Sequence, residues 1–170
     1  MSALLAGRIA VVTGGGRGLG AVIAACFRAE GAAVVTLDLS DGDEACDVTQ
    51  EASVAAAFAR IAARHGRVDV LVANAGIVRV AAQELGPRGI RVNALGPGPV
   101  LTDGLRARIT SRMAGGEGPS PNEAFAAHAA DTPLGSTATE EEVAKAALFL
   151  ASDLSSAITG RLLRVDGGLA

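Results

Sequence analysis

Short aliphatic runs alternate with Ala-rich stretches of helical spacing along the first half of the chain. Arg8 to Thr13 (RIAVVT) is a β-branched run ending in glycines, the pattern of a parallel strand buried on both faces. Gly18 to Glu30 reads as a helix with Gly31 as its stop. Ala32 to Leu37 (AAVVTL) reads as a second strand closed by Asp38, and a third strand near Cys46 has little pattern to mark it. Glu51 to Arg64 has helical apolar spacing and ends at His65-Gly66. Val68 to Ala73 (VDVLVA) is the next strand and runs into Asn74-Ala75-Gly76.

This alternation of strand and helix predicts an α/β fold with a parallel sheet. Beyond it, a short helical piece spans roughly Val80 to Leu85, followed by Gly86-Pro87. Gly89 to Leu95 (GIRVNAL) reads as a strand closed by Gly96-Pro97-Gly98-Pro99. Thr102 to Pro133 is polar and rich in glycine, which predicts a mobile loop with short helices. Thr139 to Ala151 is the best-marked helix, because Thr139 and Glu142 have the spacing of a capping box. Leu162 to Val165 reads as the last strand.

Length and composition narrow the picture. With 170 residues, 49% of them hydrophobic and 22 of them glycine, the chain suits one closely packed domain spanning residues 1–170. A net charge of −3 gives no electrostatic case for nucleic acid or for an anionic membrane. No apolar run reaches transmembrane length, and Met1 to Ala10 lacks a signal peptide's basic start and cleavage site, so a cytoplasmic location is expected. Cys26 and Cys46 lack metal-ligand spacing and read as two reduced thiols.

The glycine run Gly14-Gly15-Gly16-Arg17-Gly18-Leu19-Gly20 sits between a strand and a helix. Glycines there let the backbone turn tightly and approach a pyrophosphate, and the helix start supplies free N–H donors and partial positive charge. A glycine-rich turn with no ligand is the plainer alternative. Asp38, at the end of the second strand, lies where a dinucleotide's adenosine ribose would sit. A carboxylate there accepts from the ribose hydroxyls and repels a 2′-phosphate, which favours NAD over NADP. Arg17 argues the other way, since a guanidinium in this loop can meet a phosphate. A solvated turn residue is the alternative for Asp38.

Taken together the blocks resemble the short-chain dehydrogenase/reductase family. Thr13 to Gly20 matches TGxxxGxG, and Asp47-Val48 matches the acidic position that contacts adenine in that family. Asn74-Ala75-Gly76 matches the NAG motif that borders the cofactor. Ile90-Arg91-Val92-Asn93, Pro97-Gly98 and Thr102 match the IRVN…PG…T block, whose PG turn and threonine would face the nicotinamide. Glu142-Val143-Ala144, Phe149-Leu150-Ala151-Ser152 and Val165-Asp166-Gly167-Gly168 match the C-terminal signature. The resemblance implies a Rossmann-like doubly wound parallel sheet and an NAD(P)-dependent oxidoreductase acting on an alcohol or ketone. The cofactor residues it implies are Gly14, Arg17, Gly18, Leu19, Gly20, Asp38, Asp47, Val48, Asn74, Ala75, Gly76, Pro97, Gly98 and Thr102.

The departure from the family lies between Gly76 and Gly89. In the family that stretch holds an Asn, a Ser and a Tyr-x-x-x-Lys pair, whose Tyr passes a proton to or from the substrate oxygen. Here about a dozen residues remain, the chain has no tyrosine, and its one lysine is Lys145 in another segment. The absent block is on the order of 50 to 80 residues, from two helices, one strand and their connections. No catalytic residue is assigned. Lys145 reads as a solvated helix charge, His65 as a helix-end residue and His128 as a surface histidine in the loop region.

The shortened chain is expected to form a six-stranded parallel sheet, one strand and about two helices short of the family fold. The strand near Val92 would pair beside the one near Leu71, and an apolar patch would be exposed where a helix is missing. Three readings follow: an NAD-binding pseudoenzyme, a deletion form of an active oxidoreductase, or a non-enzymatic subunit acting on an intact homologue. A homo-oligomer through the C-terminal helix and strand is a further expectation. The substrate is not legible.

Overall fold

The computed structural model describes residues 3–72, 82–83, 85–115 and 118–169. Six strands are described: β1 (Ile9–Thr13), β2 (Ala33–Asp38), β3 (Glu44–Ala45), β4 (Val70–Val72), β5 (Ala94–Pro97) and β6 (Leu162–Val165). Five α-helices are described with them: α1 (Gly18–Ala29), α2 (Glu51–His65), α3 (Asp103–Ala114), α4 (Pro121–Ala130) and α5 (Glu140–Ala151). Gly86–Arg88 and Asp153–Ser155 form single 3₁₀ turns.

All described ladders are parallel. One sheet has the order β3-β2-β1-β4, with Val11 of β1 level with Val35 on one side and Leu71 on the other. β5 and β6 form a second ladder. Alternation along β1 sends its side chains to two different cores. Ala10 and Val12 pack with Ile23, Ala24 and Phe27 of α1 and with Ala144 and Ala147 of α5. Val11 packs on the other face with Val35, Leu37 and Cys46, beneath Ala57 and Ile61 of α2. Helices therefore cover both faces, the doubly wound arrangement that aliphatic strands without polar alternation require. Alanines at the α1–α5 contact let these two helices approach closely.

Local signals in the sequence account for the helix ends. Thr139 caps α5 by accepting from the Glu142 N–H (3.2 Å), and the Glu142 carboxylate accepts in return from the Thr139 N–H (2.8 Å). A cap of this kind contributes about 1 kcal/mol. Ser120 and Glu123 form the same box at the start of α4. Gly66 ends α2 in the left-handed region at φ 75°. The stretch expected to be a loop with short helices holds α3 and α4.

Two features differ from expectation. First, the strand after the shortened segment starts at Ala94 rather than Gly89 and pairs with β6. Among the described residues it makes no ladder with β4, so the six strands form a four-stranded sheet and a two-stranded one rather than the single six-stranded sheet expected. The two ladders are bridged by side chains instead: Leu95 joins Val70 and Val72 against the α1–α5 layer. Leu71, on the α2 face of β4, remains 50% exposed because α2 lies over Val11 and Val35. The piece expected at Val80 to Leu85 falls largely outside the described residues.

Second, only residues 39–43 connect β2 to the parallel β3, too few for a helical crossover. The chain folds back on itself and pairs for just two residues, Leu37 with Glu44 and Asp38 with Ala45. Asp43 holds this turn, its Oδ2 accepting from the Thr36 N–H (2.9 Å), the Thr36 hydroxyl (2.8 Å) and Arg28 (3.0 Å). The Thr36 N–H above all, helped by its hydroxyl and by Arg28, holds the Asp43 carboxyl below the ordinary range.

Candidate functional site

The glycine loop joins the end of β1 to the start of α1. Gly14 and Gly18 lie in the left-handed region, at φ 63° and 53°, where other residues are strained. Gly20 is required for a different reason: a Cβ there would lie 2.1 Å from the Gly14 carbonyl oxygen. Arg17 is the N-cap of α1 and gives no side-chain cap. The first-turn N–H groups of Gly18, Leu19 and Gly20 thus have no intrahelical acceptor, which makes the helix start a donor site for an anion. The Leu19 side chain packs against the buried cluster of Val100, Ala138 and Val143, which Leu95 of β5 and Val165 of β6 also join.

Asp38, the last residue of β2, reaches into the same loop. Its Oδ2 accepts from the Gly16 N–H (3.1 Å) and its Oδ1 from the Leu39 N–H (2.8 Å). A carboxylate offers about four lone-pair sites, so acceptor capacity is left over. Gly15 is also tied down, its N–H donating to the Leu37 carbonyl (3.3 Å). Arg17 is exposed and has neither an ion pair nor a side-chain hydrogen bond among the described residues.

The remaining residues expected to meet a cofactor divide into three groups. Asp47 sits before α2, where its Oδ1 accepts from the Thr49 hydroxyl (2.7 Å) and N–H (3.0 Å). These two bonds, the hydroxyl first, lower its pKa. Val48 beside it is exposed. Asn74, Ala75 and Gly76 lie outside the described residues. Pro97 ends β5, and Gly98 follows, its N–H donating to the Val165 carbonyl (3.1 Å). A Cβ on Gly98 would lie 2.7 Å from the Asp166 Cβ, so only glycine lets the two strand ends close. Thr102 caps α3 by accepting from the Leu105 N–H (3.2 Å), which leaves its hydroxyl proton available.

Within the described residues, then, the glycine loop, Asp38, Pro97, Gly98 and Thr102 gather at the carboxyl ends of parallel strands, where ligands bind in open α/β sheets. Sequence reasoning placed Gly15 and Gly16 in the glycine run but missed what they pack against, Thr36 of β2 and Asp41 of the β2–β3 turn; the five residues between Asp38 and Glu44 were the available signal. Among the described residues no general acid joins the site. The chain has no tyrosine, Lys145 is exposed on α5, and His128 lies edge-on to Phe125 at 6.0 Å on α4. His65 ends α2. No cluster of metal-ligating side chains occurs among the described residues. No described helix is long and apolar enough to cross a membrane.

Two family models divide the chain between them. Residues 8–82 match the short chain dehydrogenase model, and residues 76–170 match the enoyl-(acyl carrier protein) reductase model. The chain belongs to the short-chain dehydrogenase family, an oxidoreductase family whose members use NAD(P). It is similar to momilactone A synthase of Oryza sativa subsp. japonica, at 30% identity over 98% of this chain and 91% of that protein. It is also similar to cis-4-hydroxycyclohexanecarboxylate dehydrogenase of Sinomonas cyclohexanicum, at 31% identity over 99% and 98%. Among solved structures, hydroxysteroid dehydrogenase from Escherichia coli superposes with a TM-score of 0.83 at 26% identity, covering 99% of each chain. The two sequence alignments run over 255 and 260 positions. A chain of 170 residues cannot fill them, so stretches of each relative have no counterpart here.

Proposed function

We propose that this chain binds NAD at the glycine loop and does not perform the family's usual hydride transfer. The observation that carries this reading is an uncapped, glycine-lined helix start with a carboxylate hydrogen-bonded into the same loop, in a chain that has no tyrosine. The donor set suits a dinucleotide. The first-turn N–H groups would take the pyrophosphate, and the closeness of Gly20 to Gly14 leaves no side chain in its way. The spare lone pairs of Asp38 would accept from the ribose hydroxyls and disfavour a 2′-phosphate. Asp47 and Val48 would border the adenine. Pro97, Gly98 and Thr102 would face the nicotinamide, the group that carries the hydride when it is bound, and the family motif at Asn74, Ala75 and Gly76 would border the cofactor. What this chain lacks is a phenol to move the substrate proton, and neither Lys145 nor His128 lies in the site to replace it.

Nicotinamide fluorescence during titration with NADH and then NADPH tests the reading. Saturable NADH binding is expected, with NADPH at least roughly ten-fold weaker, a difference of about 1.4 kcal/mol. Oxidation or reduction of a panel of alcohols and ketones should stay at the uncatalysed rate. Absence of NADH binding, or turnover with a saturable substrate, would overturn it.

A second reading is supported by the alignment lengths: the chain is a deletion form of an active oxidoreductase. The two family models meet at residues 76–82, next to the segment where the family carries its catalytic block. Genomic sequence across the codons for Ile77 to Val80 decides. A Tyr-x-x-x-Lys block there favours the deletion form, and an uninterrupted reading frame favours the pseudoenzyme.

A further inference from the structure

The turn between β2 and β3 lies against the glycine loop instead of crossing the sheet. Gly16 is the point of contact. A Cβ on Gly16 would lie 2.7 Å from both the carbonyl carbon and the oxygen of Asp41, and 2.8 Å from its Cβ. Gly42 closes the turn from the other side, where a Cβ would lie 2.7 Å from the Asp38 nitrogen and 2.8 Å from the Thr36 oxygen. Asp43 locks the arrangement in both directions: its carboxylate accepts from Thr36 and Arg28, and its own N–H donates to the Thr36 hydroxyl (2.9 Å). Gly16 therefore has one carboxylate on its N–H, that of Asp38, and a second residue, Asp41, packed over its side-chain face. Ser40 donates to Asp41 Oδ2 (2.9 Å), which orients this second carboxylate.

We infer that Asp41 is a second specificity-determining carboxylate against a 2′-phosphorylated cofactor, and that Asp43 is the residue that positions it. The inference rests on the NAD reading above. A 2′-hydroxyl is neutral and loses nothing to a second negative charge. A 2′-phosphate is a dianion and would meet Asp38 and Asp41 together. Arg17, next in sequence to Gly16, is the cation that would attract it. With Asp41 in place the local charge of these three residues is net negative; without it, Asp38 and Arg17 balance.

The test compares NADH and NADPH dissociation constants for wild type, Asp41→Asn, Asp41→Lys, Asp43→Asn and the Asp41→Asn/Asp43→Asn double variant, at low and high salt. Asp41→Asn should tighten NADPH roughly three- to ten-fold while leaving NADH within about two-fold, as expected for one exposed charge facing a dianion. Asp41→Lys should extend the shift, and high salt should shrink it. Asp43→Asn should move the NADH-to-NADPH preference in the same direction and add little to Asp41→Asn, because both act through one turn. A purely structural Asp43 would weaken both cofactors equally. A preference unchanged in Asp41→Asn and Asp41→Lys, with normal NADH binding by wild type, overturns this inference alone. A salt-insensitive change overturns its electrostatic origin. A wild-type chain that binds neither cofactor overturns the NAD reading and this inference with it.

Discussion

Replacing Gly20 with alanine is expected to abolish NADH binding and to lower stability by on the order of 3 kcal/mol. The added methyl would lie 2.1 Å from the Gly14 carbonyl oxygen and 2.8 Å from the Gly14 carbonyl carbon. Both are backbone atoms of a turn fixed by its own left-handed glycine, so no side-chain rotation relieves the overlap. Either α1 shifts away from the loop or the loop opens. A shift of α1 disturbs Ile23, Ala24 and Phe27, which are packed between the sheet and α5. An open loop removes the surface on which a pyrophosphate would rest. Gly104→Ala is the matched control. Gly104 lies in the first turn of α3 with no atom within 4 Å of its missing Cβ, so alanine there should be neutral or stabilise by up to about 1 kcal/mol. Denaturant midpoints and NADH titrations of both variants check the pair. A Gly20→Ala chain that binds NADH like wild type would remove the close approach as the reason for this glycine.

The contrast between these two glycines marks how far the sequence was legible. The strand–glycine–helix unit around Gly14 to Gly20 was readable because period, punctuation and helix start all coincide there. The same holds for Thr139 and Glu142, whose spacing is the geometry of the cap itself. Strand and helix order in the first half followed from alternation alone. The partner of β5 did not follow, because pairing across a shortened connection depends on which edge the chain can reach rather than on the strand's own composition. The course of the Asp38 to Asp43 turn was also hidden. Its residues, Asp, Ser and Gly, read as any solvated loop, and only the packing of Gly16 against Asp41 reveals that the turn lies on the glycine loop. Asp47 was legible as a position but not in its local role, where Thr49 occupies one of its oxygens. The missing tyrosine needed no structure at all, since a count of residue types is enough.

Arg91→Ala is expected to destabilise the chain by about 2–4 kcal/mol with little direct effect on the glycine loop. Arg91 Nη1 donates to the Ser155 hydroxyl (2.8 Å) and the Ile158 carbonyl (3.2 Å), and Nη2 donates to the carbonyls of Leu150 (2.8 Å) and Ser152 (3.2 Å). The last two carbonyls belong to the C-terminal end of α5, where orphan acceptors and the helix dipole both favour a cation. Ser152 and Ser155 are 2% and 1% exposed, so water cannot replace the lost donors without opening the packing. Asn93 reinforces the same junction, donating to the Ile158 carbonyl (2.9 Å) and accepting from the Arg161 N–H (3.2 Å) just before β6. The β5–β6 ladder has only four paired positions and no described strand beyond β5, so its stability leans on this junction more than a wider sheet's would. Arg91→Lys separates charge from geometry: an ammonium keeps the charge at the helix end but cannot span four acceptors, so roughly half of the loss should remain. Urea midpoints of the two variants measure the difference, and amide exchange across β5 and β6 should accelerate before that in β1. If Arg91→Ala lies within about 0.5 kcal/mol of wild type, the guanidinium is a spectator and the ladder is held by Leu95, Val100 and Val165 instead.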